Sequence, residues 1–173
     1  MIKPINEYVN TLISAKRYEI MNEAKIKSIE KSKYSKHFRF TTDKSIGGIP
    51  VIICVSGDDE IKANKKIEEE KYLENLDHCF NILKSNFSKI EKDTFDYLYS
   101  LAEDWEMNKN DIKKLAHLDY IEYSQYGEKK YFDIWYNSKN HGDRDKFFGN
   151  HSVETVVYII DNKISNIDVD LVG

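Results

Sequence analysis

The stretch LDYIEYSQYGEKKYFDIWYNS, residues 118–138, alternates apolar and polar side chains on both sides of Tyr126-Gly127. Alternation with a period of two is typical of a strand with one buried face, and a turn signal between two such runs indicates a hairpin. The second arm places three large apolar side chains on one face: Phe132, Ile134 and Tyr136. This stretch therefore predicts two antiparallel strands and sets the fold class of the second half of the chain.

A second hairpin follows, because residues 151–160 and 163–173 flank the turn signal Asp161-Asn162. Apolar residues occupy both faces of 151–160, which is typical of a central strand that is covered on both sides. The last strand alternates instead, with Ile167, Val169 and Leu171 on one face and Asn166, Asp168 and Asp170 on the other. We expect the acidic side of this strand to face solvent.

The first half of the chain predicts mainly helices. Residues 5–33 carry apolar residues at irregular helical spacing, and residues 64–86 carry a continuous apolar stripe at steps of three and four. A further helix is expected to begin at Asp93 or Thr94, both of which are good N-cap residues. Residues 108–118 predict a short capped helix.

Two apolar segments in the first half favour strands: residues 37–42 alternate, and residues 49–55 are short and rich in β-branched side chains. Together these patterns predict an α+β fold, in which a helix-rich N-terminal half packs on an antiparallel β-meander formed mainly by the C-terminal half. The length of 173 residues suits one domain, and only 2 prolines and 7 glycines leave little room for linkers. We expect residues 1–173 to form a single domain.

Composition narrows the function classes. The formal net charge is −4, with 26 basic and 30 acidic residues interleaved along the chain, so direct binding of nucleic acid is not expected. The acidic balance suits a basic protein partner, but it also suits an ordinary soluble surface, which is the default interpretation. No apolar run approaches a membrane span or a signal peptide, and Cys54 and Cys79 have no CxxC spacing, so we predict a cytoplasmic protein with free thiols. Nothing in the sequence indicates an oligomeric state.

The segment HGDRDKFFGNHS, residues 141–152, allows two interpretations. His141 and His151 flank Asp143 and Asp145, and imidazole with carboxylate ligands is the chemistry of a metal-dependent hydrolase. The spacing matches no strong metal motif such as HExxH, and no cofactor is expected. In the second interpretation HGDRDK is an exposed connection, while FFGNHS anchors the loop with two rings, turns at Gly149 and begins the next strand.

The region resembles an uncharacterised bacterial family, a domain of unknown function with a Phe-aromatic-Gly-His-Ser signature before a strand. The residues that carry the resemblance are Phe147, Phe148, Gly149, His151, Ser152 and Val153, with the closing strand from Asp168 to Gly173. The helices and the apolar strand before them fit the same layout over the last two-thirds of the chain. Two positions depart, because Asn150 is inserted before His151 and Phe148 stands where Trp is expected. The resemblance implies similarity to small immunity-type proteins of polymorphic toxin systems.

The sequence therefore predicts a non-enzymatic cytosolic binding protein, an immunity-type inhibitor that neutralises a toxin or other effector by direct contact. Acidic and aromatic side chains are the expected interface residues. They are Asp143, Asp145, Asp168, Asp170, Tyr126 and Trp135. Three alternatives stay open: a metal-dependent hydrolase that uses His141 and His151, a phage-encoded inhibitor of a host defence enzyme, and a small-ligand sensor.

Overall fold

Seven strands form one sheet in the computed structural model, which describes residues 26–33, 36–138 and 147–173. The strands are β1 (Ile26–Lys31), β2 (His37–Ile46), β3 (Ile49–Ser56), β4 (Ala116–Tyr126), β5 (Lys129–Ser138), β6 (Ser152–Ile160) and β7 (Lys163–Val172). Their spatial order follows their order in the chain. Each strand therefore lies beside its neighbour in sequence, which is the commonest arrangement for short connections.

One pair of neighbours breaks the antiparallel pattern. Strands β3 and β4 run parallel, with Val51 to Ile53 paired to Ile121 to Tyr123, and every other neighbouring pair is antiparallel. A parallel pair requires a crossover connection that returns the chain to the same end of the sheet. Residues 57–115 provide it, and they contain the three helices of the described chain: α1 (Glu60–Glu69), α2 (Tyr72–Leu101) and α3 (Lys109–Leu115).

The core lies between α2 and one face of the sheet, here called the inner face. Its largest fully buried side chains include Phe40, Ile53, Tyr123 and Phe132 on the strands, and Leu76, Leu83, Ile90 and Leu98 on α2. The axis of α2 crosses several strands, since Tyr72 contacts Tyr123 of β4 and Phe95 contacts Tyr136 of β5. Next to Phe95 on α2, the hydroxyl of Thr94 lies 2.9 Å from the hydroxyl of Thr155 on β6. No helix in the described residues is long and apolar enough to cross a membrane.

The predicted division into a helix-rich N-terminal half and a C-terminal meander is wrong. Strands β1 to β3 lie between residues 26 and 56 and belong to the same sheet as the C-terminal strands, while the three helices come from the middle of the chain. The parallel β3–β4 pair also makes the sheet more than a meander. Apolar spacing in 26–33 indicated helix, yet 26–31 is β1, because pairing with β2 prevails over an irregular local pattern. The rest of that predicted helix, residues 5–25, lies outside the described residues.

The helix boundaries also differ from the expected ones. The break that we expected between 86 and 93 does not occur, because α2 continues through Ile90, which keeps the buried stripe intact. The actual break lies at Lys71, which adopts a left-handed conformation with φ of 52° between α1 and α2. Thr94 is therefore not an N-cap: its hydroxyl donates to the carbonyl of Ile90 instead. The short helix predicted over residues 108–118 is present with Asn108 as its N-cap, but it ends at Leu115, and residues 116–118 belong to β4.

Both predicted hairpins are confirmed. Strands β4 and β5 pair up to Tyr126 and Lys129, and β6 and β7 pair up to Ile160 and Lys163. Strand β6 has neighbours on both sides, as expected, but only one of its faces is buried. Its second face is half-buried and forms part of the candidate site described below.

Candidate binding face

The side chains that point away from α2 form the outer face of the sheet. They alternate along each strand with the buried residues of the inner face and are half-buried or exposed. The members on the C-terminal strands are Tyr120, Glu122 and Ser124 on β4, Tyr131, Asp133 and Trp135 on β5, Glu154, Val156 and Tyr158 on β6, and Asn166, Asp168 and Asp170 on β7. This set combines acids with aromatic rings, whereas the buried inner face carries aromatic rings but no acid among the described residues.

Strand register arranges the outer face into rows. One row runs Tyr120, Trp135, Glu154 and Asp170, because each is the direct partner of the next across adjacent strands. The neighbouring row runs Glu122, Asp133, Val156 and Asp168 by the same pairing. Directly opposed side chains on neighbouring strands contact one another. The register therefore places five carboxylates in two adjacent rows.

A depression of about 450 Å³ lies over β4, β5 and β6 on this face. Its lining residues are Arg39, Asp119, Tyr120, Glu122, Asp133, Trp135, Asn137 and Glu154. Four carboxylates thus face one guanidinium. Two aromatic rings contribute apolar wall, so the depression combines negative charge with flat surfaces for stacking.

Glu122 accepts a hydrogen bond on each of its two carboxylate oxygens. The hydroxyl of Tyr120 donates to its Oε2, and the hydroxyl of Ser124 donates to Oε1 at 3.3 Å. Burial and then this bond to Glu122 raise the pKa of Tyr120 above its usual range. Arg39 lies over the Tyr120 ring, with its Cζ atom 5.8 Å from the ring centre. The ring therefore already accepts one guanidinium on its face.

Asp133 is in a different state. Burial, followed by the charges of Glu154 and Glu122, raises the pKa of its carboxyl to about 7. In the described part of the chain its carboxylate forms no hydrogen bond and no ion pair. Burial and the charge of Asp170 also raise the pKa of Glu154. Both shifts arise first from burial and second from the charge of neighbouring carboxylates.

The rim of the depression connects to the FFGNHS segment. The Asn137 amide donates to Asp119 at 2.7 Å, and the hydroxyl of Ser152 donates to the Oδ1 atom of Asn137. Phe147 and Phe148 are fully buried just before Ser152, where β6 begins. The structural interpretation of FFGNHS is therefore confirmed, and these residues help to hold the end of β5 against β6.

Gly149 and His151 belong to the same segment, residues 147–152. Gly149 has φ of 60°, and a Cβ atom there would lie 2.9 Å from the Trp105 ring, so the turn requires glycine. The ring of His151 contacts Trp105 at 5.2 Å, and its Nδ1 atom lies 2.5 Å from the carbonyl oxygen of Phe148. His151 thus packs against Trp105 and Phe148 rather than in the depression.

The predicted interface residues fall in three places. Trp135 lines the depression, and Asp168 and Asp170 lie on the same face on β7, so the fold brings these three together. Tyr126 lies at the tip of the β4–β5 hairpin and is 84% exposed. Asp143, Asp145 and the alternative metal ligand His141 lie outside the described residues. Within the described ranges, no group of three or more His, Cys, Asp or Glu side chains is placed to hold a metal ion.

Glu122, Asp133 and Glu154 were not predicted as site residues. Their parity was visible in the sequence, since Glu122 alternates with Ile121 and Tyr123, and Asp133 with Phe132 and Ile134. What the sequence lacked was the register that places them in neighbouring rows, because a shift of one residue would move one strand's set to the opposite face.

Fold and site together define a protein with helices against the inner face of a seven-stranded sheet and an acidic, aromatic outer face. Comparison of the chain with protein-family models, with curated proteins and with solved structures finds no match in any of the three.

Proposed function

We propose that this protein is a non-enzymatic binding protein that holds a basic protein partner against the outer face of its sheet. The observation that carries the proposal is the pair of rows that brings Glu122, Asp133, Glu154, Asp168 and Asp170 together on one face. Complementary charge speeds encounter and fixes orientation, and it disfavours partners of the same sign.

The size of the face suits a stable complex. Strands of about ten residues span about 33 Å, and the six strands β2 to β7 span about 24 Å at the usual strand spacing. The product is on the order of 800 Å², which is the surface that each partner contributes to a standard interface. Tyr131 and Tyr158, whose ring centres lie 5.8 Å apart, add aromatic contact area to the acidic rows.

The Cys54 thiol and the Tyr120 hydroxyl on the face support binding rather than nucleophilic catalysis. Burial and the nearby charge of Glu122 raise the pKa of the Cys54 thiol to about 11, so the thiol is protonated at neutral pH. A protonated thiol is a poor nucleophile. The hydroxyl of Tyr120 is likewise held in its neutral form by burial and by its bond to Glu122.

Within this class we propose an immunity-type inhibitor that acts in the cytoplasm on a toxin or other effector. The acidic face suits a toxin with a basic surface, such as one that contacts nucleic acid. A phage-encoded inhibitor of a host defence enzyme would use the same surface on a different target. Identifying the partner as a toxin or as a defence enzyme would distinguish these two proposals.

The test uses the protein encoded beside this chain as the partner, with binding kinetics measured at low and high salt. Asp168→Lys/Asp170→Lys reverses two exposed charges on β7 without touching the core. We expect this variant to weaken binding at least about tenfold, mainly through slower association, and to reduce the salt dependence.

The matched control is Glu103→Lys/Asp104→Lys, which makes the same charge change in the exposed turn after α2. Its affinity should stay within about twofold of wild type, because distant exposed charges are screened at physiological salt. Equal losses in the two variants would indicate a net-charge effect and reject the outer face. A chain that neither binds the neighbouring gene product nor protects cells from it would reject the proposed function.

A further inference from the structure

We propose that the depression over β4 to β6 is a receptor pocket for one arginine side chain of the partner. Because the pocket lies within the face that is proposed to meet the partner, its biological role rests on that proposed function. Its ability to bind a guanidinium can be measured without the partner.

Flat walls provide the first requirement of a guanidinium site. Tyr120 and Trp135 are direct partners across β4 and β5, and both line the depression. A guanidinium is planar and weakly hydrated, so it stacks on aromatic faces more readily than an ammonium group does. Arg39 of this same chain covers one face of the Tyr120 ring, with its Cζ atom 5.8 Å from the ring centre, so Trp135 supplies the stacking surface for a second guanidinium.

Carboxylates provide the second requirement. Glu154 is the direct partner of Trp135, and Asp133 is two residues from Trp135 on the same strand, so both carboxylates flank the ring. Neither carboxylate forms a hydrogen bond or ion pair among the residues that the structure describes. Two neighbouring carboxylates without donors match the forked N–H groups of arginine, which bind such oxygens in a bidentate manner.

The volume and charge indicate an organic cation rather than a neutral ligand. About 450 Å³ lies within the range of about 300–1,000 Å³ that is usual for sites that enclose organic groups. Four carboxylates against Arg39 leave an excess of negative charge in the depression. A cation therefore gains from the carboxylates, which outnumber Arg39, whereas an uncharged side chain would leave Asp133 and Glu154 uncompensated.

The test titrates the full chain with N-acetyl-arginine methylamide while the indole N–H signals of both tryptophans are followed by NMR at constant ionic strength. We expect a saturable shift of the Trp135 signal and none of the Trp105 signal, since Trp105 packs against Phe148 and His151 instead. The lysine analogue should bind several-fold more weakly. The citrulline analogue, which has the same shape without the charge, should not bind.

Asp133→Asn/Glu154→Gln should weaken arginine binding at least about tenfold, because two charge-assisted hydrogen bonds are lost. The matched control is Asp168→Asn/Asp170→Asn, which removes two carboxylates from the same face outside the lining of the depression, and it should change the affinity less than about threefold. An unchanged Trp135 signal, or equal responses to the arginine and citrulline analogues, would overturn the pocket.

The two proposals can fail separately. If the Asp168→Lys/Asp170→Lys variant loses the partner but the Asp133→Asn/Glu154→Gln variant keeps full affinity, the docking face stands and the arginine pocket is rejected. If arginine binds as expected but no partner does, the pocket stands and the proposed function is rejected.

Discussion

Phe132 and Asp133 are neighbours on β5, yet they lie on opposite faces of the sheet in opposite environments. The Phe132 side chain is fully buried between the sheet and α2, next to Tyr123. Partial burial of the Asp133 carboxyl, followed by the charges of the carboxyls around it, raises its pKa. The comparison teaches that the inner face supplies the stability of the fold, and this leaves the outer face able to carry charges that cost stability.

The largest loss of stability should come from truncating a side chain on the inner face. We expect Phe132→Ala to lower the free energy of unfolding by about 3–5 kcal/mol, because it leaves a cavity in the centre of the core. Trp135→Ala, three residues along the same strand, should cost no more than about 1.5 kcal/mol, because its ring is only half-buried. Urea unfolding followed by circular dichroism measures both variants. Equal losses would show that the outer face is also a core.

A smaller effect should come from the polar contact within the inner face. Thr94 donates its proton to the carbonyl of Ile90, so the hydroxyl of Thr155 must donate to Thr94. Thr155→Val should therefore cost only about 1 kcal/mol. Thr94→Val should cost more, up to about 3 kcal/mol, because it leaves the buried Thr155 donor without its acceptor.

Denaturant unfolding of both threonine variants and of the double variant checks this order. The double variant should be close to Thr155→Val in stability, because removing both partners leaves no unpaired donor. If Thr155→Val lost more free energy of unfolding than Thr94→Val, the assigned direction of the hydrogen bond would be wrong.

The smallest effect concerns Asp133 and depends on pH. Its carboxyl has a folded-state pKa of about 7, above the ordinary value of 3.8. Between these values the folded chain retains a proton that the unfolded chain has released, so the free energy of unfolding falls as pH rises. Asp133→Asn removes this penalty and should be more stable than wild type at pH 8 by about 1 kcal/mol, after allowance for solvent screening.

At pH 5 the advantage of Asp133→Asn should shrink to less than half of its pH 8 value, because the penalty builds up as the pH rises from 3.8 to about 7. Urea unfolding of wild type and variant across this range provides the measurement. If the free energies of unfolding of wild type and variant differed by the same amount at every pH, the pKa of the Asp133 carboxyl would not be raised in the folded state. The inner and outer faces would then not differ in their electrostatic effect on stability.

Local features of the fold followed from the sequence where neighbouring residues decide the structure. The β4–β5 and β6–β7 hairpins were predicted because each pairs strands across a two-residue turn, and the helix after Asn108 was predicted from its cap. Strand β1 was missed because its partner β2 was needed to make it a strand. The break at Lys71 was missed because a left-handed lysine has no sequence signal comparable to glycine.

By itself, the sequence determined which residues alternate along each strand, and therefore that Glu122, Asp133 and Glu154 lie on the face opposite Ile121, Phe132 and Val153. It also determined the anchor at Phe147 and Phe148 and the acidic character of the chain. Only the tertiary structure decided that these acids share one face. That outcome depends on the register of pairs such as Glu122 with Asp133 and Trp135 with Glu154, and on the parallel pairing of β3 with β4 across the helices. Periodicity acts between adjacent residues, whereas register is fixed by contacts between segments far apart in the chain.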